Sequence, residues 1–184
     1  MVIEENLLSE EHHRYYGRPW ALGKYQFEYL LSRGLKRTDK VLDFGCGSGR
    51  LGIWLIKYLD EGNYYGIDIK KDRIKAFSQY EVPLHSLESK RPNIICSNVL
   101  EFADQFDWVI DFFVTHHISD NDQIYKNIYK SLKHEGKYAI VPRNTVKGMS
   151  KYGFTRFHTE NQKCPLLEGH SFSSVNYWIE FTKE

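Results

Sequence analysis

Val41-Leu42-Asp43-Phe44-Gly45-Cys46-Gly47-Ser48-Gly49-Arg50 is the stretch that decides the fold. Lys40 to Phe44 reads as a short buried strand, alternating glycines follow, and Leu51 to Leu59 reads as an apolar helix. Glycines at a strand-to-helix turn let the backbone bend sharply and let a ligand lie where a Cβ would intrude. The free N–H groups of the helix start then face that ligand.

Two ligand classes use such a turn. A dinucleotide asks for G-x-G-x-x-G, which Gly47-x-Gly49-x-x-Gly52 supplies. S-adenosylmethionine has no phosphate but presents an ammonium, a carboxylate and a sulfonium. Asp43 separates the two. At the end of the strand, two residues before Gly45, its carboxylate can meet an ammonium, and a dinucleotide fingerprint has no use for an acid there. The stretch resembles motif I of the class I S-adenosylmethionine-dependent methyltransferases, with Asp43, Gly45, Gly47 and Gly49 on its acidic and glycine positions. A tight turn that holds no ligand is the plain structural alternative.

At 184 residues the chain is long enough for one domain with a full core. We divide it into an N-terminal arm and helix, 1–39, and a cofactor-binding part, 40–184. A net charge of +1 argues against a nucleic-acid-coating protein. Cys46, Cys96 and Cys164 are odd in number and too widely spaced for a metal site, so free thiols in a reducing compartment are expected. The start, MVIEENLLSE, is acidic and its apolar run is too short for a signal peptide. No apolar run approaches membrane-spanning length. Cytoplasmic location is the resulting expectation, with no membrane partner and a monomer or homodimer.

Along the arm, His12 and His13 invite a metal reading. Neighbours in sequence do not face the same way on a helix, so a solvated arm and no metal are expected. A helix runs from Trp20 to about Arg33, with Gly34 as its cap. After the glycine turn, Tyr64 to Asp68 is the second strand. Asp68 lies 23 residues beyond Gly45, where a carboxylate can take both ribose hydroxyls of an adenosine ligand. Ile69 would pack on the adenine face. Lys70 to Tyr80 reads as an amphipathic helix, punctuated soon after by Pro83. Ile94-Ile95-Cys96 begins the third strand, and Phe106 to Val114 is a near-continuously apolar fourth. Asp120 to Lys133 reads as a helix, and Tyr138 to Val141 as the fifth strand.

Strand and helix alternate five times. That pattern implies a three-layer, doubly wound, mostly parallel α/β sheet of six to seven strands with right-handed crossovers. The resemblance adds an N-terminal helical lid and an antiparallel C-terminal strand. Ligands of such sheets sit beyond the C-terminal strand ends, where Asp43, Asp68, Asn98 and His117 fall on four successive strands.

The resemblance covers residues 40–142 and implies S-adenosyl-L-methionine as cofactor and S-adenosyl-L-homocysteine as product. It places Gly45, Cys46, Gly47, Ile69 and Val99 with Asp43 and Asp68 at the cofactor. Asn98 takes the adenine-reading place where Asp is more usual, and an amide serves the same edge. Thr115-His116-His117 resembles the family's strand end beside the methyl donor. His117 is the first candidate base and His116 the second, with a purely structural role as the competing reading. His134-Glu135-Gly136 stands where the family usually has Pro-Gly-Gly. The expected reaction is methyl transfer to an O or N atom of a small-molecule acceptor, anionic or aromatic, contacted by Tyr16, Trp20 and Arg143. Alternatives are a non-catalytic S-adenosylmethionine-binding partner protein and an NAD(P)-dependent oxidoreductase. The missing Pro-Pro after the fourth strand argues against amino-directed nucleic-acid methylation.

The tail is read less regularly. Lys137, Arg143, Lys147, Lys151 and Arg156 sit in an acid-free stretch with Tyr152, Phe154 and Phe157 interleaved. Either this loop meets an acceptor, or its aromatics fold back on the core, which we favour. A short helix is expected over Thr159–Glu168, a strand over Asn176–Thr182, and a strand stub at Ser171–Ser174.

Overall fold

The computed structural model describes residues 9–17, 20–118, 121–141, 148–163 and 175–184. A 3₁₀ segment, Glu11–Gly17, precedes helix α1, Leu22–Ser32. Strands β1 (Val41–Phe44), β2 (Tyr64–Asp68), β3 (Asn93–Cys96), β4 (Phe106–Phe112) and β5 (Leu132–Val141) alternate with helices. These are α2 (Gly52–Tyr58), α3 (starting at Lys71–Ala76) and α4 (Asp122–Ser131). Two further strands, β6 (Phe154–Lys163) and β7 (Val175–Lys183), close the chain.

All seven strands form one sheet in the order β3-β2-β1-β4-β5-β7-β6. The first five are parallel, β7 pairs antiparallel with β5, and β6 pairs antiparallel with β7. Strand alternation splits the core into two layers. Val41, Tyr64, Trp108, Ile110 and Trp178 pack with Leu30 of α1, Ile53 and Ile56 of α2 and Phe77. Leu42, Ile67, Val109, Tyr138 and Phe181 face the other way, against Ile128 of α4. The strand order reverses between β1 and β4, which makes their C-terminal ends the switch point where ligands of such sheets bind.

Helix α1 is tied to β7 by buried polar contacts. Tyr29 Oη and Arg33 Nε each donate to Glu180 Oε1 at 2.7 Å, and the Tyr29 ring stacks on Trp178 at 3.9 Å. Burial and the Glu180 carboxylate push the Tyr29 phenol up.

Four expectations need correction. The third helix does not stop at Tyr80. It continues as a π turn, Phe77–Glu81, and a last turn, Val82–Leu84, with Pro83 in the first positions of that turn, where its missing donor costs least. The fifth strand begins at Leu132, not Tyr138, because the His134-Glu135-Gly136 turn is a bulge within it, with Glu135 at φ 59°. The closing segment is a full hairpin rather than one strand and a stub. Residues 159–163 of the expected helix are strand, paired from Thr159↔Ile179 to Lys163↔Val175. Ser171–Ser174 and the remainder of that helix lie outside the described residues. Lastly, His12 is buried in the arm that was expected to be solvated.

Tyr152 and Phe154 of the basic aromatic stretch fold back on the core, while Arg143, Lys147 and the side chains of Arg156 and Phe157 lie outside the described residues. Met149 and Phe154 are buried, Tyr152 Oη donates to Asp122 Oδ1 at 2.6 Å, and Lys151 Nζ meets the same atom at 2.9 Å. Lys137 is spent on the carbonyl of Arg33 at 2.8 Å and lies over the Trp108 ring.

Candidate functional site

The four parallel strands β3, β2, β1 and β4 deliver Asn98, Asp68, Asp43 and His117 to one rim of the sheet. Asp43 pairs in register with Gly66 and Ile110, and its carboxylate accepts the Tyr64 hydroxyl at 2.9 Å. Burial pushes the Asp43 carboxyl up to about 7 against the pull of that hydroxyl, and nearby Asp68 adds to the rise. The Cys46 thiol beside it is pushed well up by burial too, so it is a packed group and not a nucleophile.

Asp68 organises the turn. Its Oδ2 accepts Gly47 N at 3.0 Å, and its Oδ1 accepts Lys70 N at 2.8 Å. Each oxygen keeps a second lone-pair direction, which two ribose hydroxyls can use. Next to it, Ile69 is 64% exposed and Val99, past β3, is 48% exposed. Both are large apolar groups left at the rim, suited to the two faces of a flat aromatic base. Asn98 is exposed beside Val99, whose N–H is held by Ser97 Oγ at 2.9 Å.

The glycines divide by what surrounds them. A Cβ on Gly45 would run into the Val114 side chain, and one on Gly49 or Gly52 into the Phe77 ring. Those three are packing glycines, and Phe77 fills the space where the G-x-G-x-x-G reading expects a ligand. Gly47 has φ 56°, and among the described residues nothing lies within 4 Å of where its Cβ would be. Ser48 Oγ, in the same turn, is buried with no hydrogen-bond partner among the described residues. An open cradle, an orphaned hydroxyl, a paired carboxylate and two apolar flanks fit an adenosine-bearing ligand.

The loop after β4 has an organiser that sequence reading missed. Asp111 is fully buried, its Oδ1 accepts the N–H groups of Val114 and Thr115 at 3.1 Å each, and its Oδ2 accepts Tyr138 Oη at 2.7 Å. Burial raises its pKa. These contacts hold the turn Thr115–His117, with Phe113 at φ 71° entering it. His117 is exposed on that turn. The side chain of His116 lies outside the described residues, as do Arg143 and the side chain of Tyr16. Trp20 is half-buried, stacked on His13 at 3.8 Å with the Arg50 guanidinium 6.0 Å from its ring. A surface depression of about 310 Å³ between His134–Glu135 and Thr182–Glu184 lies at the opposite rim, by the start of β5, away from these groups.

The pattern of the family described as a methyltransferase domain matches residues 42–138, from β1 into β5. The chain therefore belongs to the class I S-adenosylmethionine-dependent methyltransferases. A sterol 24-C-methyltransferase of Aspergillus fumigatus is 28% identical over 130 residues, covering 67% of this chain and 33% of that protein. A demethylmenaquinone methyltransferase of Lactobacillus johnsonii is 31% identical over 117 residues, 58% of this chain and 45% of that one. The chain thus spans a third to about half the length of these curated relatives. In fold it superposes on a SAM-dependent methyltransferase from Aquifex aeolicus with TM-score 0.70 at 16% identity, each chain covered in full. Among the described residues, no helix is long and apolar enough to cross a membrane.

Proposed function

We propose that this methyltransferase moves the methyl group of S-adenosylmethionine to an O or N atom of a small-molecule acceptor. The observation that carries the reading is the open space at Gly47, walled by Asp68 and flanked by the exposed Ile69 and Val99. When bound there, the cofactor supplies an activated methyl carbon. Asp68 holds the ribose hydroxyls, Ile69 and Val99 sandwich the adenine, and Asn98 reads its edge. Gly45, Cys46 and Gly47 give the backbone wall. Asp43, at the switch point, faces the ammonium and becomes fully ionised as it does so.

His117, held at the rim by the Asp111-anchored turn, takes the acceptor's proton as transfer occurs, with His116 the second candidate. Catalysis then rests on alignment: the rigid β1 and β4 ends keep donor and acceptor in line. Tyr16, Trp20 and Arg143 are proposed on the acceptor side, with the N-terminal arm as a cover. The acceptor proposal stays with O and N. A carbon acceptor is the second reading, favoured by the likeness to a sterol 24-C-methyltransferase.

The test is a screen with S-adenosylmethionine labelled in its methyl group. Acid, phenol and amine acceptors are tried beside sterol-like and quinol-like carbon acceptors. Label in an O- or N-methyl product supports the reading. Label only in C-methyl products replaces the acceptor class. Binding of the cofactor with no label in any product makes the chain a non-catalytic partner.

A further inference from the structure

Away from the cofactor rim, three histidine nitrogens converge on one buried carboxylate. Glu81 ends the π turn of α3 and is 0% exposed. Its Oε1 lies 2.7 Å from His12 Nε2 and 2.6 Å from His13 Nε2. His85, one helical turn on, places Nε2 3.3 Å from Glu81 Oε2. The geometry of that last contact is not a hydrogen bond. Among the described residues Glu81 Oε2 has none. A wholly buried carboxylate oxygen in that state is costly.

His12 and His13 are neighbours in the 3₁₀ segment Glu11–Gly17, leave its axis about 120° apart, and so come to Glu81 from different sides. The rings of His12 and His13 stand edge to face at 4.5 Å, so both Nε2 atoms reach inward from different sides. The ligating atoms of His12, His13 and Glu81 lie within 4.8 Å of one another. His13 also has the outer support that metal-bound imidazoles use: its Nδ1 faces Glu10 Oε2 at 3.5 Å, and Tyr80 Oη donates to Glu10 Oε1 at 3.0 Å.

We propose that His12, His13 and Glu81 bind a divalent cation of the zinc class, and that His85, whose Nε2 stands at Glu81 Oε2 and outside that group, turns in as fourth ligand. Three imidazoles and one carboxylate are a borderline-soft set that suits zinc and not magnesium or calcium. Ligands about 2.0–2.1 Å from a tetrahedral zinc stand roughly 3.3 Å apart, so the donors around Oε1 part by about 0.6–0.7 Å to admit it. The ion neutralises Glu81 and staples the arm to α3. The staple reaches the cofactor side through Trp20, which stacks on His13 and lies beside Arg50 of the glycine turn. The site is independent of the proposed acceptor chemistry.

The experiment is titration of the chelator-stripped full chain with Zn²⁺, competed against a chromophoric chelator, with thermal unfolding read in parallel. The expected result is one ion per chain and a raised melting temperature. His13→Ala, partly exposed and so tolerant of change, should weaken binding by about 100-fold or more, and Glu10→Gln by about 10–100-fold. Cys96→Ser, which removes an exposed thiol able to capture zinc, should change nothing. Circular dichroism confirms that each variant is folded. If His13→Ala does not fold, His85→Ala at the rim of the cluster replaces it. No saturable Zn²⁺ binding by the folded wild type overturns the proposal. So does affinity that survives intact in a folded His13→Ala or His85→Ala chain.

Discussion

The side chain of Val114, just past β4, occupies the space that a Cβ on Gly45, just past β1, would need. The two loops of the switch point are therefore one packed unit, and the glycine turn serves two purposes that substitution can separate. Gly45 serves packing. Gly47 leaves room for a ligand.

Gly45→Ala should destabilise the protein by more than the roughly 1–2 kcal/mol of a left-handed backbone, since Val114 must also be displaced. Gly47→Ala should cost only about that backbone penalty in stability. It should weaken S-adenosylhomocysteine binding by tenfold or more, roughly 1.4 kcal/mol, by filling the cradle. Thermal unfolding and calorimetric titration of both variants check the contrast.

Asp43 sets a pH dependence. Its folded value, about 7, lies above its ordinary 3.8, so the folded state holds a proton that the unfolded chain has released. The Asp43 contribution to stability is complete below about pH 3.8 and is lost as pH rises through about 7. Asp43→Asn should flatten that slope in pH-dependent unfolding. An ammonium placed beside Asp43 favours the ionised form, so ligand binding expels its proton. Affinity for S-adenosylhomocysteine should be about tenfold weaker at pH 6 than at pH 8 in the wild type. In Asp43→Asn it should be weak at both.

Tyr138 and Asp111 act at a distance from the chemistry. Tyr138→Phe leaves one oxygen of a buried carboxylate unpaired and should cost about 1–3 kcal/mol of stability. As a positioning change, it should lower turnover more than it changes cofactor affinity, because it loosens the turn that carries His117. Equal losses in both would place Asp111 in general core stability.

His117→Ala should lower turnover by about 10²-fold or more with S-adenosylhomocysteine affinity intact. The rate profile of the wild type should lose its dependence on an ionising base in the variant. Unchanged turnover removes His117 from the mechanism and moves the test to His116.

Much of this was legible in the sequence because parallel strands are written as apolar runs and their ends as polar exceptions. Asp43, Asp68, Asn98 and His117 could be placed on one rim from order alone. What escaped depends on backbone irregularity. The strand β6 was hidden because a bulge between Phe154 and Arg156 breaks the alternation by which a strand is recognised. The turn of α3 toward Glu81 was hidden by a π segment, and Pro83 read as a stop. His12 and His13 were misplaced because neighbours that share no helix face can still reach one buried group from two sides, and Glu81 lies far off in sequence. Asp111 could have been suspected: it is an acid that directly follows the apolar run Trp108–Ile110, and a charged residue in such a place must find partners.

The central claim is that the Gly47 cradle and Asp68 hold an adenosine-bearing methyl donor. The most direct measurement is calorimetric titration of the full chain with S-adenosylhomocysteine, with NAD as control, in wild type and in Asp68→Ala. The account predicts saturable 1:1 binding in the micromolar range that disappears in a folded Asp68→Ala chain, and no heat from NAD. Silence with S-adenosylhomocysteine, or binding that Asp68→Ala leaves untouched, would contradict it.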